Sequence, residues 1–384
     1  MKYYIIAGEA SGDLHGANLV KHLVKGDRDA DIRAWGGELM EGAGARVVKH
    51  YRDLAFMGFA EVIANLRTIK RNFDFCKKDL LAFAPDVLIL IDYPGFNLRM
   101  AKFAKAHGIR VFYYISPQIW AWKQGRVKQV RAYVDEMYVI LPFEKDFYAE
   151  FDVDVHYVGH PLADAVEQYK AQAPDRGEFL TRHGFDDRPI VALLPGSRKQ
   201  EISAMLPVML RACEGMGGVN IVVAGAPALE EGFYRNLIGD GPDLSEKTAV
   251  RILFGATYEV LNYSRIALVT SGTATLEAAL FRVPQVVCYK GGRISYQIAR
   301  LLIKVKFISL VNLIMDREVV RELIQHHMNP RTLRSAADEI FADGPARETM
   351  LHDYDALYRK LGGGGASEKT ARLMLTALGV PQGV

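Results

Sequence analysis

Cysteine is scarce: Cys76, Cys213 and Cys288 are the only three in 384 residues, and they stand far apart. Their spacing matches no metal-ligand pattern, and each lies in an apolar, regular-looking segment, so they read as buried, reduced thiols. Long apolar runs are lacking too, and none approaches the ~20 residues needed to cross a bilayer. The chain opens directly into Lys2-Tyr3-Tyr4-Ile5-Ile6-Ala7, which reads as a first strand and not as a signal peptide. These absences lead to the expectation of a cytoplasmic protein that touches a membrane only from outside. An excess of one charge is missing as well. The 48 Lys+Arg and 45 Asp+Glu leave a formal +3, too little to argue for nucleic acid as a partner.

What is present is an α/β rhythm. Short β-branched and apolar runs alternate with helical patterns, which argues for βαβ units and parallel sheets. In the first half the strands are expected at Tyr3–Ala7, Val87–Ile91, Arg110–Ile115 and Glu136–Ile140, with helices such as Leu14–Val24 and Leu98–His107. The rhythm repeats at Ile190–Leu194, Asn220–Ala224, Ile266–Thr270 and Gln285–Tyr289. A seam falls near Tyr157–Pro174, where Gly159-His160-Pro161 is followed by a polar stretch ending at Ala173-Pro174-Asp175. Helical segments follow at about Pro330–Leu361 and Glu368–Leu378, split by Gly362–Gly365, a run that no helix continues cheaply. The expected organisation is two facing, doubly wound Rossmann-like domains, 1–165 and 166–345, with a helical tail at 346–384. Ligands in such folds sit beyond the carboxyl ends of the strands, which here means the cleft between domains.

Several strand-to-helix turns carry chemistry. Gly8-Glu9-Ala10-Ser11-Gly12-Asp13 joins the first strand to a helix whose free N–H groups attract anions. The same string is equally a tight turn with Ser11 or Asp13 as its cap. Leu194-Pro195-Gly196-Ser197-Arg198 places a forked cation beside a helix start, a cradle for a diphosphate, although Arg198 as a solvated charge stays open. In Thr270-Ser271-Gly272-Thr273-Ala274-Thr275-Leu276-Glu277-Ala278, glycine and hydroxyls can donate to phosphate oxygens. Glu277 lies one turn beyond Thr273, placed to accept from a ribose diol or to stay on the surface.

Ile91-Asp92-Tyr93-Pro94-Gly95-Phe96-Asn97 puts a carboxylate at the end of an apolar strand, on a proline-stiffened turn, where a general base is well placed. Its bland alternative is a turn-forming Asp held by backbone N–H groups. Ser116–Trp122 brings Trp120 and Trp122 close to polar groups, either to line an acceptor site or to plug a core.

Taken together and in order, these strings resemble the lipid A disaccharide synthase family. The matching set is Gly8–Asp13, Asp92–Asn97, Ser116–Trp122 with Lys123-Gln124-Gly125-Arg126, Leu141-Pro142-Phe143-Glu144, Gly159-His160-Pro161, Leu194–Arg198, Ser271–Glu277, and Val311-Asn312-Leu313 with Asp316-Arg317-Glu318. It covers nearly the whole chain. The resemblance implies a GT-B glycosyltransferase with an N-terminal acceptor and catalytic domain and a C-terminal donor domain. It implies transfer of 2,3-diacylglucosamine from its UDP derivative to 2,3-diacylglucosamine 1-phosphate, with inversion, a β-1′,6 linkage, release of UDP, and no cofactor or catalytic metal. Asp92 would then take the proton of the acceptor 6-hydroxyl, with Glu9 and Ser11 facing the reacting centre. Arg198, Ser271, Gly272 and Thr273 would hold the diphosphate, Glu277 the ribose, and Asn312 a further part of the donor.

Acylated substrates require contact with a membrane surface. In the segment Met57–Phe83, Val62, Leu66, Ile69, Phe73 and Cys76 follow helical spacing among Arg67, Lys70, Arg71, Lys77 and Lys78. This suits either a helix at an anionic interface or an amphipathic helix packed on the first sheet. Leu66, Ile69 and Phe73 are the expected contacts with the inner membrane. A second basic stretch, Arg293–Lys306, would cooperate. Rivals are another GT-B enzyme using a UDP-N-acetylhexosamine, including a non-hydrolysing epimerase, and a catalytically silent nucleotide or lipid binder. Monomer and homodimer both stay open, because the glycine break would let the tail exchange between subunits.

Overall fold

The computed structural model describes residues 1–54, 66–122, 124–227, 229–239, 250–292 and 305–381, without the side chains of Leu66 and Trp122. The chain folds into two compact units, one formed by Met1–Asp164 with Gly363–Val384 and the other by Ala165–Gly362.

The first unit is built on seven strands: β1 (Lys2–Ala7), β2 (Asp31–Gly36), β3 (Arg46–His50), β4 (Val87–Ile91), β5 (Arg110–Tyr114), β6 (Glu136–Val139) and β7 (His156–Tyr157). They lie parallel in the order β3-β2-β1-β4-β5-β6-β7. β4 reads Val-Leu-Ile-Leu-Ile and is buried throughout, as a strand covered by helices on both faces must be. Each such side chain contributes roughly 2 kcal/mol by leaving water. The order reverses between β1 and β4, so the connections that leave these strands run to opposite faces of the sheet and open a crevice beyond the strands' carboxyl ends.

The second unit repeats the design with β8 (Ile190–Leu194), β9 (Asn220–Gly225), β10 (Val250–Phe254), β11 (Ser264–Thr270), β12 (Gln285–Tyr289) and β13 (Arg321–Ile324). Its parallel order is β10-β9-β8-β11-β12-β13, with the reversal between β8 and β11. The eight strands expected from the sequence are present. The additions are short or lie towards sheet edges, where polar residues such as those of Arg46–His50 blunt the apolar signal. All three cysteines are buried and unpaired.

The helical tail expected at 346–384 is shared between the two units. Arg317 donates a forked pair of bonds to Asp353, at 2.8 and 2.5 Å, tying helix Pro345–Lys360 to the second unit. Helix Ala366–Leu378 belongs to the first unit instead. Its N-terminus is capped by Asp164, whose carboxylate accepts from the backbone N–H of Gly365, Ala366 and Ser367 at 2.5, 3.2 and 2.9 Å. This helix lies along helix Ala10–Gly26, where a Cβ on Gly26 would come within 2.4 Å of Leu375. The chain passes from one unit to the other through Gly362, Gly363 and Gly365, at φ of 85°, 69° and 91°, a left-handed path that side chains resist. Among the described residues no helix is long and apolar enough to cross a membrane.

Candidate functional site

In the first unit, the β1–β4 pairing sets Ala7 beside Ile91, so Gly8-Glu9 and Asp92-Tyr93 emerge together at the switch point. Asp92 and Tyr93 both occupy the left-handed region, at φ of 45° and 46°. Such residues cost of order 1–3 kcal/mol each and persist only where surroundings over-determine them. Here the determinants are on view. The Asn97 side-chain amide donates to the carbonyls of Ile91 and Asp92 at 3.1 and 2.7 Å, and the Tyr113 hydroxyl donates to the Asp92 carbonyl at 2.6 Å. The Asp92 N–H donates to the Tyr114 carbonyl at 3.2 Å. Gly8 is required beneath this turn, because a Cβ there would stand 2.4 Å from the Tyr93 ring.

Burial, and then the neighbouring Glu9 carboxylate, push the Asp92 carboxyl up from 3.8 to about 6. Two carboxylates just beyond the ends of adjacent strands, one of them poised near neutrality, suit proton abstraction. Ser11 is exposed in the first turn of helix Ala10–Gly26. Neither Ser11 nor Asp13 caps that helix. Asp13 is buried and accepts instead from the N–H of Gly37, Met40 and Leu39, at 2.7, 3.1 and 3.2 Å, fixing the β2 loop.

Sequence reasoning gave Glu144 no role of its own. It is buried behind β6, accepts from the N–H of Ile140 and Leu141 at 3.2 and 2.9 Å, and is pushed up to about 7 by burial. Ser116 and Trp120 stand beside its carboxyl. Trp120 itself is half-buried, edge-on to Phe143 at 4.9 Å. No sequence signal separated this acid from an exposed helix-start glutamate.

In the second unit the two phosphate-type turns emerge at the other switch point, from the paired strands β8 and β11. Gly196 has φ 117°, and a Cβ there would meet the Glu201 carboxylate at 2.8 Å. Arg198 precedes helix Lys199–Cys213, with 62% of its side chain exposed and Glu201 at 3.4 Å. Gly272 (φ 146°) and Thr273 are exposed at the start of helix Thr273–Leu280, while the Ser271 hydroxyl donates to the Ile308 carbonyl at 2.7 Å. Glu277 is pushed up to about 7 by burial, against the pull of the adjacent Tyr258 hydroxyl.

Asn312 requires a correction as a direct donor contact. It is fully buried, and its amide donates to the Val320 carbonyl and the Glu322 carboxylate at 2.8 and 2.9 Å. Its carbonyl accepts from the N–H of Val319 and Val320 at 2.7 and 3.0 Å. All the hydrogen bonds a side-chain amide can make are therefore spent inside the chain. Glu322, missed at the sequence level, also accepts from the N–H groups of Ile308 and Ser309, both at 2.9 Å. Asn312 and Glu322 together hold the segment that anchors Ser271.

On the helix Leu66–Phe83, Cys76 and Leu80 are buried in the first unit's core, and Phe73 stacks on Phe96 at 4.2 Å. Ile69 is half-buried, Val62 lies outside the described residues, and so does most of the basic stretch Arg293–Lys306. Among the described residues no cluster of three His, Cys, Asp or Glu is placed to hold a metal ion.

The model of the family described as lipid-A-disaccharide synthetase matches residues 3–376. The chain belongs to that family. The lipid-A-disaccharide synthase of Syntrophus aciditrophicus is 42% identical over 381 residues, covering 97% of each chain. Among solved structures, a putative UDP-N-acetylglucosamine 2-epimerase from Listeria monocytogenes is similar with a TM-score of 0.68 at 13% identity, covering 98% of this chain and 96% of its own. The calicheamicin glycosyltransferase CalG4 is similar with a TM-score of 0.60 at 16% identity, covering 98% of each. At that identity the structures show the shared GT-B fold alone. Membership of the lipid-A-disaccharide synthase family makes the chain a glycosyltransferase of lipid A disaccharide synthesis, using a UDP-sugar donor and a lipid acceptor, and the epimerase and silent-binder readings are not favoured.

Proposed function

We propose that the chain transfers 2,3-diacylglucosamine from its UDP derivative to 2,3-diacylglucosamine 1-phosphate. The acceptor 6-hydroxyl oxygen bonds to the anomeric carbon from the face opposite UDP, and the bond to UDP breaks with its electron pair. The hydroxyl proton passes to the Asp92 carboxylate. The products are the β-1′,6-linked disaccharide 1-phosphate, with inversion, and UDP.

Charge on the departing diphosphate is met by Arg198 and by the free N–H groups around Gly272 and Thr273, with the Ser271 turn held in place for them. Glu277 accepts from the ribose hydroxyls, and Glu9 keeps Asp92 basic. Ser11, exposed beside them, contacts the acceptor sugar. The membrane-facing end is the start of helix Leu66–Phe83, with Leu66, Ile69 and Phe73 meeting the cytoplasmic face of the inner membrane. The observation that carries this reading is the Asp92 carboxyl, set at a switch point and raised to about 6. Its test is Asp92→Asn, which is expected to abolish disaccharide formation while UDP-sugar binding stays nearly intact. Near-normal turnover in that variant removes Asp92 from the role of base.

A further inference from the structure

Helices Leu66–Phe83 and Pro94–Ala106 leave between them a groove of about 640 Å3 on the first unit, within the size range of ligand pockets. Its floor is apolar, made by Ile69, Phe73 and Phe103. Around that floor stand four cations, Lys70, Lys77, Arg99 and Lys102, against a single carboxylate, Asp74. Two of the cations lie over the floor itself. The Lys77 ammonium is 5.2 Å from the Phe103 ring centroid, and the Arg99 guanidinium is 5.5 Å from that of Phe73. Lys70 and Lys102 are exposed and make no ion pair among the described residues. Sequence spacing put only one wall of this groove in view, because Arg99, Lys102 and Phe103 come from the helix after β4.

The floor of the groove touches the Asp92 turn through the buried ring of Phe96. Phe73 stacks on Phe96 at 4.2 Å, and Phe96 lies 5.7 Å from the Tyr93 ring, next in the chain to Asp92. An apolar floor rimmed by cations suits an acylated anion such as a phosphate monoester, its chain on the rings and its phosphate among the ammonium and guanidinium groups. We propose that this groove is the acceptor subsite for the phosphate and an acyl chain of the acceptor lipid, delivering its sugar towards Asp92. This rests on the acceptor named above, and it assigns Lys70, Arg99 and Lys102 to reading the acceptor's phosphate.

The test measures binding of 2,3-diacylglucosamine 1-phosphate, and of the same lipid without its phosphate, in neutral detergent micelles. The full chain is compared with Lys70→Gln/Arg99→Gln/Lys102→Gln, whose glutamines keep part of each stem over the floor. The wild-type chain is expected to prefer the phosphorylated lipid by about tenfold or more, the size of one or two charge-assisted contacts. The triple variant is expected to lose that preference. The single exposed change Lys102→Gln, which leaves the floor untouched, is expected to lose part of it even where the triple variant folds poorly. A preference retained in these variants overturns the proposal. So does a parallel loss for both lipids, or a loss confined to binding of phosphatidylglycerol vesicles, which would limit Lys70, Arg99 and Lys102 to the membrane contact made by the start of the same helix. Turnover is scored separately: a wild-type chain that binds the acceptor with this preference but makes no disaccharide fails the functional reading and not the groove.

Discussion

The Tyr113 hydroxyl on β5 donates a 2.6 Å hydrogen bond to the carbonyl of Asp92 at the end of β4. With the Asn97 amide on the same carbonyl, it holds a left-handed residue where the turn would otherwise relax. Tyr113→Phe removes one of the two donors without changing side-chain shape. We expect it to cost about 1–2 kcal/mol of stability and to lower kcat more than it raises the donor KM. Steady-state kinetics beside urea denaturation check this, and a variant with lowered stability and unchanged kcat would separate the bond from catalysis.

Asp92 acts as a base only when ionised, and its pKa is about 6. The rate is therefore expected to climb about tenfold per pH unit below 6 and to level off above it. Because this folded pKa is above the ordinary 3.8, the ionised carboxylate burdens the folded state at neutral pH. That burden is complete above about 6, shrinks as pH falls, and is gone below the unfolded value. Asp92→Asn should accordingly raise the Tm at pH 8 and leave it unchanged at pH 3. Thermal melts at the two pH values decide the point.

Glu277 is pushed up to about 7 by burial, so near neutrality it is part protonated. Ribose hydroxyls donate to the ionised form and favour it. Affinity for UDP should then rise with pH through about 7 and flatten above. Titration calorimetry at pH 6 and 8 measures this, and Glu277→Gln should erase the difference while weakening binding at both.

Asn312→Ala strands the Val319 and Val320 N–H groups, the Val320 carbonyl and one partner of Glu322. The expected loss is about 2–4 kcal/mol in urea denaturation, with weakened UDP binding as its consequence. A variant that binds UDP poorly at full stability would restore Asn312 to direct contact.

Replacing Leu66, Ile69 and Phe73 together by serine should lower co-sedimentation with anionic vesicles. Because Phe73 stacks on Phe96, the same variant should also lose about 1–2 kcal/mol of stability. Unchanged co-sedimentation in a folded triple variant, judged by circular dichroism, would count against the membrane contact.

The alternation of apolar strands and helical patterns made both sheets legible, since β4 and β8 are buried on both faces and spell it in their residues. Strand order was not legible, because the reversals at β1/β4 and β8/β11 join segments remote in sequence. That order is what sets Glu9 against Asp92 and the Arg198 turn beside the Ser271 turn. The setting of the Asn312 side chain was hidden for the same reason. The resemblance gives it a part in the donor site, and the string Val-Asn-Leu does not show that its amide is spent on partners at residues 319, 320 and 322. Asp13 likewise reads as a local cap until the backbone groups it binds come into view, and Glu144 stands only as part of a matching string until its bonds to Ile140 and Leu141 do. The tail was legible as helices but not as two allegiances, which depend on Asp353 and Asp164 far from their partners.

The proposed reaction joins two acylated glucosamines without a metal ion. Mass spectrometry of the products, after incubation with synthetic UDP-2,3-diacylglucosamine and 2,3-diacylglucosamine 1-phosphate with and without chelator, tests it most directly. Equal amounts of UDP and the disaccharide 1-phosphate are expected, undiminished by chelator. An epimerised donor, UDP without disaccharide, or a yield that collapses on chelation would contradict it.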